Sequence, residues 1–181
     1  MLQAYPNRRT YEKFNQNRLL KELQENPRVI EKLKTLFEEI RNNKKDYLPL
    51  LLLADEQESA IDAYLERGRL YVMEDGGVRA VCVVTDEGEG VLEIKNLAVA
   101  PPWQRCGYGR AFIEYIRRRY TGIFHILQVG TGDSPLTIPF YEACGFVKSH
   151  CVRKFFIDHY DHPIYEGGVR LVDMIYLRRD L

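Results

Sequence analysis

The sequence predicts a mixed α/β (α+β) fold, in which a mostly antiparallel sheet is flanked by helices. Residues 69–99 contain apolar segments separated by glycine-bearing turns, which is the pattern of an antiparallel meander. Residues 91–130 read as strand, loop, helix and strand. Residues 1–46 are charged and repeat apolar side chains at helical spacing, so they predict an N-terminal helical extension on a main domain at 47–181.

The length and the charge of the chain limit the classes of protein to which it can belong. The chain has 181 residues, enough for one domain with a substantial core. Its 26 Lys and Arg residues equal its 26 Asp and Glu residues, so no overall charge field indicates a nucleic-acid partner. The longest apolar run, Leu48 to Ala54, is far shorter than the about 20 residues of a membrane helix, and the N-terminus lacks a signal-peptide core. We expect a cytoplasmic protein without a membrane partner.

The cysteines show no metal-ligand or redox spacing. None of the four belongs to a CxxC pair, so the sequence predicts free thiols in a reducing compartment and no metal site. They are Cys82, Cys106, Cys144 and Cys151.

The N-terminal segment is predicted to form helices. Asn26 can cap a helix and Pro27 suits its first turn. The apolar stripe of this helix consists of Val29, Ile30, Leu33, Leu36, Phe37 and Ile40. A weaker helical pattern covers residues 11–23. The stripe must be buried, either against the main domain or in a homodimer interface, and both alternatives stay open.

Strand signals dominate after residue 46. YLPLLLLA, from residue 47, predicts a buried strand, and Asp55 with Glu58 predicts a capping-box start of a helix to about Arg67, ended by Gly68. Strands are expected at 69–74 and 78–86, joined by a hairpin turn at Asp75-Gly76-Gly77.

The second half alternates strands and helices. A polar turn leads into a strand at 91–100, a helix follows from Gly109 to about Tyr120, and the next strand is FHILQVG. A short helix is expected at 139–144. Two closing strands, about 147–157 and 169–177, are separated by a polar loop.

The loop QRCGYGR, residues 104–110, has the properties of a phosphate site. It lacks the lysine and hydroxyl of a P-loop, and Phe112 stands where the dinucleotide fingerprint needs a third glycine. It does match Q/R-x-x-G-x-G/A. Two glycines allow a tight turn whose N–H groups point inward, and a helix that begins at once adds its positive dipole end. Arg105 and Arg110 add charge, so the pattern indicates a pyrophosphate site.

With FYEACGF at 140–146, this loop resembles the GNAT superfamily, the acetyl-CoA-dependent N-acetyltransferases. The resemblance covers about residues 47–181 and is nearest to an uncharacterised bacterial acetyltransferase group. It implies a twisted sheet with a central strand splay and acetyl-CoA as acetyl-donor cosubstrate. The pantetheine residues would be Leu97, Ala98 and Val99. The pyrophosphate residues would be Gln104, Arg105, Cys106, Gly107, Tyr108, Gly109 and Arg110.

The resemblance also suggests catalytic groups. Tyr141 lies where the family has the tyrosine that protonates the coenzyme A sulfur, although it could merely pack its helix. Glu93 lies fourteen positions before Gly107, where one branch carries a catalytic glutamate, so it is the candidate base. Alternatively, Glu93 pairs with Lys95 on the same strand and water takes the proton.

Asp133 departs from the family pattern, which often has a cofactor-binding asparagine there. It is kept as a cofactor-binding candidate that could instead face the amine or cap the following helix. His125 is expected to be a core or sheet-surface residue.

The acceptor is less defined. An acidic and aromatic cluster near the last strands suits a cationic amine, although it also fits a solvated loop. Its members are Asp158, His159, Tyr160, Asp161, Tyr165, Glu166 and Asp173. The predicted function is acetyl transfer to a primary amine of a small molecule or peptide, and the alternative is a non-catalytic acyl-CoA sensor. The basic run 117–119 ends a helix and predicts a solvated face rather than a nucleic-acid site.

Overall fold

The computed structural model describes residues 36–181 of the chain. Seven strands form one sheet in the order β1-β2-β3-β4-β5-β9-β6, and β7 pairs with β8 in a separate two-stranded sheet. The strands are β1 Phe37–Ile40, β2 Arg69–Glu74, β3 Val78–Asp86, β4 Val91–Val99, β5 Ile126–Gly132, β6 Val147–Val152, β7 Tyr165–Glu166, β8 Val169–Arg170 and β9 Met174–Asp180.

Helices cover both faces of the sheet. They are α1 Leu48–Leu51, α2 Glu58–Leu65, α3 Tyr108–Tyr120, α4 Thr137–Ala143 and α5 Phe155–His159. The larger core packs α3 and α4 on one face. The second core packs α1 and α2 on the other. A third cluster of Phe156, Ile164 and Leu171 lies under α5. The predicted α/β class, with a mostly antiparallel sheet flanked by helices, is confirmed.

The central elements follow the predicted pattern. The β2–β3 hairpin turns at Asp75, whose N–H donates to the Gly77 carbonyl at 3.0 Å. β3 and β4 continue the antiparallel meander, and α3 then carries the chain over to β5, which pairs parallel with β4. The glycine-bearing turns and apolar runs that predicted these elements depend on neighbouring residues only. The folded chain therefore has these elements where the sequence predicts them.

The predicted helix does not extend through Phe37–Ile40. These residues form an edge strand antiparallel to β2. Phe37 is buried in the larger core and stacks on Tyr115 at 4.0 Å between ring centroids, while Ile40 packs on the second core. Pairing with β2 therefore overrides the helical spacing. The helices predicted before Leu36 lie outside the described residues, and the domain boundary at residue 46 stays a prediction, as does the homodimer.

The predicted strand at 47–54 is also wrong. Residues Lys44–Tyr47 form a 3-10 helix, and α1 follows with Pro49 in its first turn. Proline cannot donate to a sheet ladder but suits a helix start, which explains the difference. Leu51 is fully buried in the second core, whereas Leu53 is exposed.

The start of α2 differs from the predicted capping box. Gln57, not Asp55, is the N-cap residue, and no side chain caps this end. The other end of α2 is held by Lys44. Its ammonium donates to the carbonyls of Leu65, Glu66 and Gly68 at 2.9, 2.9 and 2.7 Å. A cation on the last carbonyls complements the negative end of the helix dipole.

The last third departs most from prediction. β6 ends at Val152 and is followed by α5, and the expected strand at 169–177 divides into β8 and β9. β9 lies between β5 and β6 and pairs antiparallel with both. The Asp173 carboxylate accepts the backbone N–H of Lys154 at 2.8 Å, which ties the start of α5 to the turn before β9.

Candidate active site

The two central parallel strands part after four residue pairs. β4 and β5 pair from Val91 to Ile94, and Ile94 faces Val129 in the last pair. Beyond it β4 keeps its partner β3 and β5 keeps its partner β9. The strand splay is therefore present, and it leaves peptide groups on the facing edges of both strands without a strand partner.

A β-bulge lies at the point where the strands part. Val83 of β3 faces Asn96, whereas Val84 faces Ile94, so Lys95 is the extra residue of β4. The bulge reverses which face each later side chain takes. Leu97 and Val99 consequently pack toward the larger core, and Ala98 packs into the second core. These three predicted pantetheine residues lie on the segment of β4 that pairs with β3 but no longer with β5.

The glycine-bearing loop turns the chain from β4 into α3. Arg105 and Gly107 have left-handed backbones with φ of 59° and 91°, and Gly107 is the N-cap of α3. Gly109 is needed for a different reason, because a Cβ there would lie 3.1 Å from Cζ of Phe140. The two sequence motifs therefore meet in space. Arg110 adds to this contact by donating to the Ala143 carbonyl at 2.8 Å.

Side chains hold the loop in place. The Tyr108 hydroxyl donates to the Asp75 carboxylate at 2.8 Å, which ties the first turn of α3 to the β2–β3 turn. Burial, followed by this carboxylate, raises the pKa of Tyr108. The Arg79 guanidinium lies 3.9 Å from the centroid of the Trp103 ring. Gln104 donates to the Val99 carbonyl at 3.1 Å, and the Cys106 thiol points back to the Gln104 carbonyl at 3.5 Å.

A cavity of about 450 Å³ opens where the strands part. Tyr141 lies in its wall, only 7% exposed, on α4. Its ring packs edge-on against Phe140 and Phe146. Burial raises the pKa of Tyr141, so the phenol holds its proton. A neutral phenol facing a cavity can donate a proton or hydrogen bond to a group bound there.

Glu93 does not share that cavity. It lines a neighbouring one of about 380 Å³ and is 5% exposed. One carboxylate oxygen accepts from Lys95 at 2.7 Å and the other from Gln128 at 2.7 Å. Arg178 in turn donates to the Gln128 carbonyl oxygen at 2.6 Å. The structure therefore pairs Glu93 with Lys95, as the sequence alternative expected, and keeps it apart from Tyr141.

Asp133 lies away from both cavities, and it is exposed. It does not cap α4. The N-cap residue is Leu136, whose N–H donates to the Ser134 hydroxyl at 3.1 Å. His125 is exposed beside Gly90 at the start of β5, in agreement with a sheet-surface position.

The predicted acceptor cluster is only partly brought together. Tyr160, Tyr165 and Glu166 line the first cavity, and His159 lines the second. The Thr137 hydroxyl donates to Glu166 at 3.1 Å. Neither cavity includes Asp158, Asp161 or Asp173.

The sequence interpretation missed Asp55 as a site residue. Its side chain lines both cavities and accepts hydrogen bonds from the Tyr160 and Tyr64 hydroxyls at 3.0 and 3.4 Å. Burial raises the pKa of its carboxyl, against the opposing hydrogen bonds from Tyr160 and Tyr64. The available signal was an acid that directly follows an apolar run, which we interpreted as a helix cap.

The geometry fits acetyl-CoA. An extended, amide-bearing arm can pair with the free peptide groups between β4 and β5, as an added strand does. The left-handed loop and the N-terminus of α3 present N–H groups and a positive dipole end to a pyrophosphate. The thioester would then reach the cavity that holds Tyr141. Together these features define a coenzyme A-dependent acyltransferase.

Comparison with known proteins identifies the family. Residues 66–148 match the family model described as acetyltransferase (GNAT) domain. The uncharacterised N-acetyltransferase YvbK of Bacillus subtilis (strain 168) is 35% identical over 73% of this chain and 87% of its own length. The chain belongs to the GNAT family of N-acetyltransferases.

Solved structures agree with this assignment. The IAA acetyltransferase from Bacillus cereus ATCC 14579 is 35% identical, with a TM-score of 0.75 over 81% of this chain and 99% of its own. A GNAT family acetyltransferase from Elizabethkingia anophelis with acetyl-CoA bound is 30% identical, with a TM-score of 0.76 over 80% of this chain and 97% of its own. Acetyl-CoA is accordingly the cosubstrate.

Within residues 36–181, no group of three or more His, Cys, Asp or Glu side chains is arranged to hold a metal ion. No helix in that part of the chain is long and apolar enough to cross a membrane.

Proposed function

We propose that this enzyme transfers the acetyl group of acetyl-CoA to a primary amine of a small molecule or peptide, by direct attack of the amine on the thioester. The observation that carries the proposal is the cavity at the strand split, with the protonated phenol of Tyr141 in its wall. Acetyl-CoA supplies an activated acyl carbon. The chain supplies orientation, exclusion of water and a proton.

The donor side of the proposal uses mostly backbone groups. The segment Leu97–Val99 pairs with the pantetheine amides along the edge that faces β5, and residues Gln104–Arg110 bind the pyrophosphate. In this arrangement the Arg110 side chain serves the loop by holding α4 through the Ala143 carbonyl. Asp133 is left out, because it is exposed and lines neither cavity.

Tyr141 is the proposed general acid. As the carbon–sulfur bond breaks, the leaving thiolate needs a proton, and the phenol is the protonated group at the end of the split. Burial in an apolar wall disfavours a lasting phenolate, so Tyr141 must regain a proton within the same turnover. The proton on the nitrogen after attack is available for this purpose.

In this proposal Glu93 is the partner of Lys95 and not the catalytic base. Both of its carboxylate oxygens are occupied, by Lys95 and Gln128. Because Lys95 is the bulged residue, this network stabilises the place from which β4 and β5 diverge. We assign Glu93 a positioning role.

An acceptor screen tests the function. Purified full-length protein is mixed with acetyl-CoA and a panel of primary amines and amino-terminal peptides, and thiol release is followed together with the mass of each product. We expect acetyl-CoA-dependent acetylation of at least one amine. Binding of acetyl-CoA without acetylation of any panel member would favour the sensor alternative.

A further inference from the structure

The wall of the first cavity contains the carboxylate of Asp55, which two tyrosine hydroxyls hold in place. We propose that Asp55 binds the ammonium group of the acceptor and takes its first proton, and that the acceptor is a primary amine with an apolar body. This inference rests on the amine acetylation proposed above. It names a residue and a substrate class for that reaction.

The Asp55 carboxylate lies in the cavity wall with no cation beside it among the described residues. The groups that act on its carboxylate are the hydroxyls of Tyr160 and Tyr64, the N–H of Gln57 and the charge of Glu56, none of them a cation. The two tyrosines fix the orientation of both oxygens from different elements. An ammonium group would supply the missing positive charge through charge-assisted hydrogen bonds.

Asn96 connects this carboxylate to the strand split. It is 3% exposed, lines the first cavity, and donates to the Tyr64 hydroxyl and the Leu51 carbonyl, both at 3.0 Å. Its Oδ1 accepts no hydrogen bond from any described residue. Asn96 directly follows the bulge of β4, so the same irregularity that opens the split also positions Tyr64 and, through it, Asp55.

The rest of the cavity indicates what the amine is attached to. Its wall on this side comes from the third apolar cluster and its neighbours: Tyr160, Phe156, Ile164, Leu171 and Met174. Among the described residues that line this cavity Lys95 is the one cation, and it is paired with Glu93. Two more carboxylates line it, Glu56 beside His162 at 3.9 Å and Glu166 beside the Thr137 hydroxyl at 3.1 Å. We assign the apolar wall next to Asp55 to the body of the amine.

The protons balance in this scheme. The acceptor arrives as R–NH3+ and gives one proton to the Asp55 carboxylate, which passes it to solvent. The neutral nitrogen forms the N–C bond, and the C–S bond then breaks. The thiolate takes the Tyr141 proton, and Tyr141 regains one from the nitrogen. The third proton stays on the amide, so the products are R–NH–CO–CH3, CoA–SH and H+.

The acid limb of the pH–rate profile should follow the ionisation of the Asp55 carboxyl. Burial raises the pKa of this carboxyl above its usual range, and the two tyrosine hydrogen bonds oppose the rise. Activity is therefore lost as the pH falls through that raised value. The other titratable and charged groups that line the two cavities are Glu56, Tyr64, Arg67, Glu93, Lys95, Tyr141, His159, Tyr160, Tyr165, Glu166 and Tyr176.

Two variants and one control test the proposal. Asp55→Asn removes the charge, keeps an acceptor oxygen for one tyrosine hydroxyl and places an amide N–H donor beside the other. Tyr160→Phe keeps the charge and removes the donor at 3.0 Å. Asp62→Asn is the matched control, because Asp62 is an exposed carboxylate on α2 paired with Lys45. The probes are 2-phenylethylamine, which is cationic, 2-phenylethanol, which is neutral, and spermidine, which is a polycation.

Binding and kinetics give separate readouts. Calorimetric titration of CoA-saturated wild type at pH 7 should give about tenfold or tighter binding of the amine than of the alcohol. This preference should vanish in Asp55→Asn and persist in Asp62→Asn. In kinetics, Asp55→Asn should lose the acid limb of kcat/KM, and Tyr160→Phe should move that limb to higher pH.

Melting separates this role from a structural one. Because the Asp55 pKa is raised in the folded protein, the ionised carboxylate lowers stability above that pKa, and asparagine does not. Asp55→Asn should consequently melt no lower than wild type at pH 7. A melting temperature well below wild type would assign Asp55 to the fold instead.

The results also distinguish this inference from the proposed function. If wild type acetylates amines but Asp55→Asn keeps the wild-type kcat/KM and acid limb, the Asp55 role is overturned and the function stands. Acetylation of spermidine but not of 2-phenylethylamine overturns the substrate class. If wild type acetylates nothing, the function fails, and equal binding of amine and alcohol would overturn the inference as well.

Discussion

Gly109→Ala tests the close approach of the pyrophosphate loop to α4. The added Cβ would lie 3.1 Å from Cζ and 3.5 Å from Cε2 of Phe140, against an optimal carbon separation of about 3.5–4.0 Å. The N-terminus of α3 and the Phe140 ring must therefore give by a few tenths of an ångström between them. Overpacking of this kind costs about 1–3 kcal/mol, and the better helix propensity of alanine returns up to about 1 kcal/mol. Global stability should fall by no more than about 3 kcal/mol.

Donor binding should weaken as well. The displaced N-terminus of α3 carries the N–H groups assigned to the pyrophosphate, so about 1 kcal/mol of misfit raises the KM for acetyl-CoA about fivefold. The assay is steady-state thiol release at varied acetyl-CoA, together with urea unfolding. Phe140→Leu removes both contacted atoms, so the double variant should recover part of the loss relative to the Gly109→Ala single variant. A wild-type KM in the single variant, or no recovery in the double variant, would refute the reasoning.

Two further predictions concern stability and the base. Lys44→Met removes three hydrogen bonds from an ammonium to the end of α2 and should lower the free energy of unfolding, measured in urea, by about 1–2 kcal/mol. Lys45 makes only exposed ion pairs, so Lys45→Met should lower it by less than about 1 kcal/mol. Equal losses in the two variants would contradict the role of Lys44 at the end of α2. Glu93→Gln should keep both limbs of the pH–rate profile, because a residue that only positions the bulge does not exchange protons in the reaction; loss of the acid limb would restore Glu93 as the base.

The strand, loop and helix of the candidate donor site could be predicted because their information is local. A strand, a glycine-bearing loop and a helix follow one another within residues 91–120, and the backbone groups they supply need no distant partner. The resemblance added Tyr141 through a second contiguous motif. Phe140 of that motif meets Gly109 of the loop, a contact that no spacing rule revealed.

Asp55 could not be predicted as a candidate site residue for the opposite reason. Asp55 and Tyr160 are 105 positions apart, and their hydrogen bond depends on the placement of α5 and the chain that follows it. The same holds for Phe37, whose helical spacing is overridden by pairing with β2, and for Glu93, whose partner Gln128 lies on β5. Pro49 is different. It carried a local signal for a helix start that the apolar run around it concealed.

Tyr141→Phe tests the central claim most directly. The substitution removes only the hydroxyl, and the ring can keep its edge contacts with Phe140 and Phe146. With the best amine from the acceptor screen, we expect kcat to fall by about 100-fold or more, as for loss of a general acid, with the Kd for acetyl-CoA within about twofold of wild type. A kcat equal to that of wild type, with the same acetyl-CoA affinity, would contradict the account.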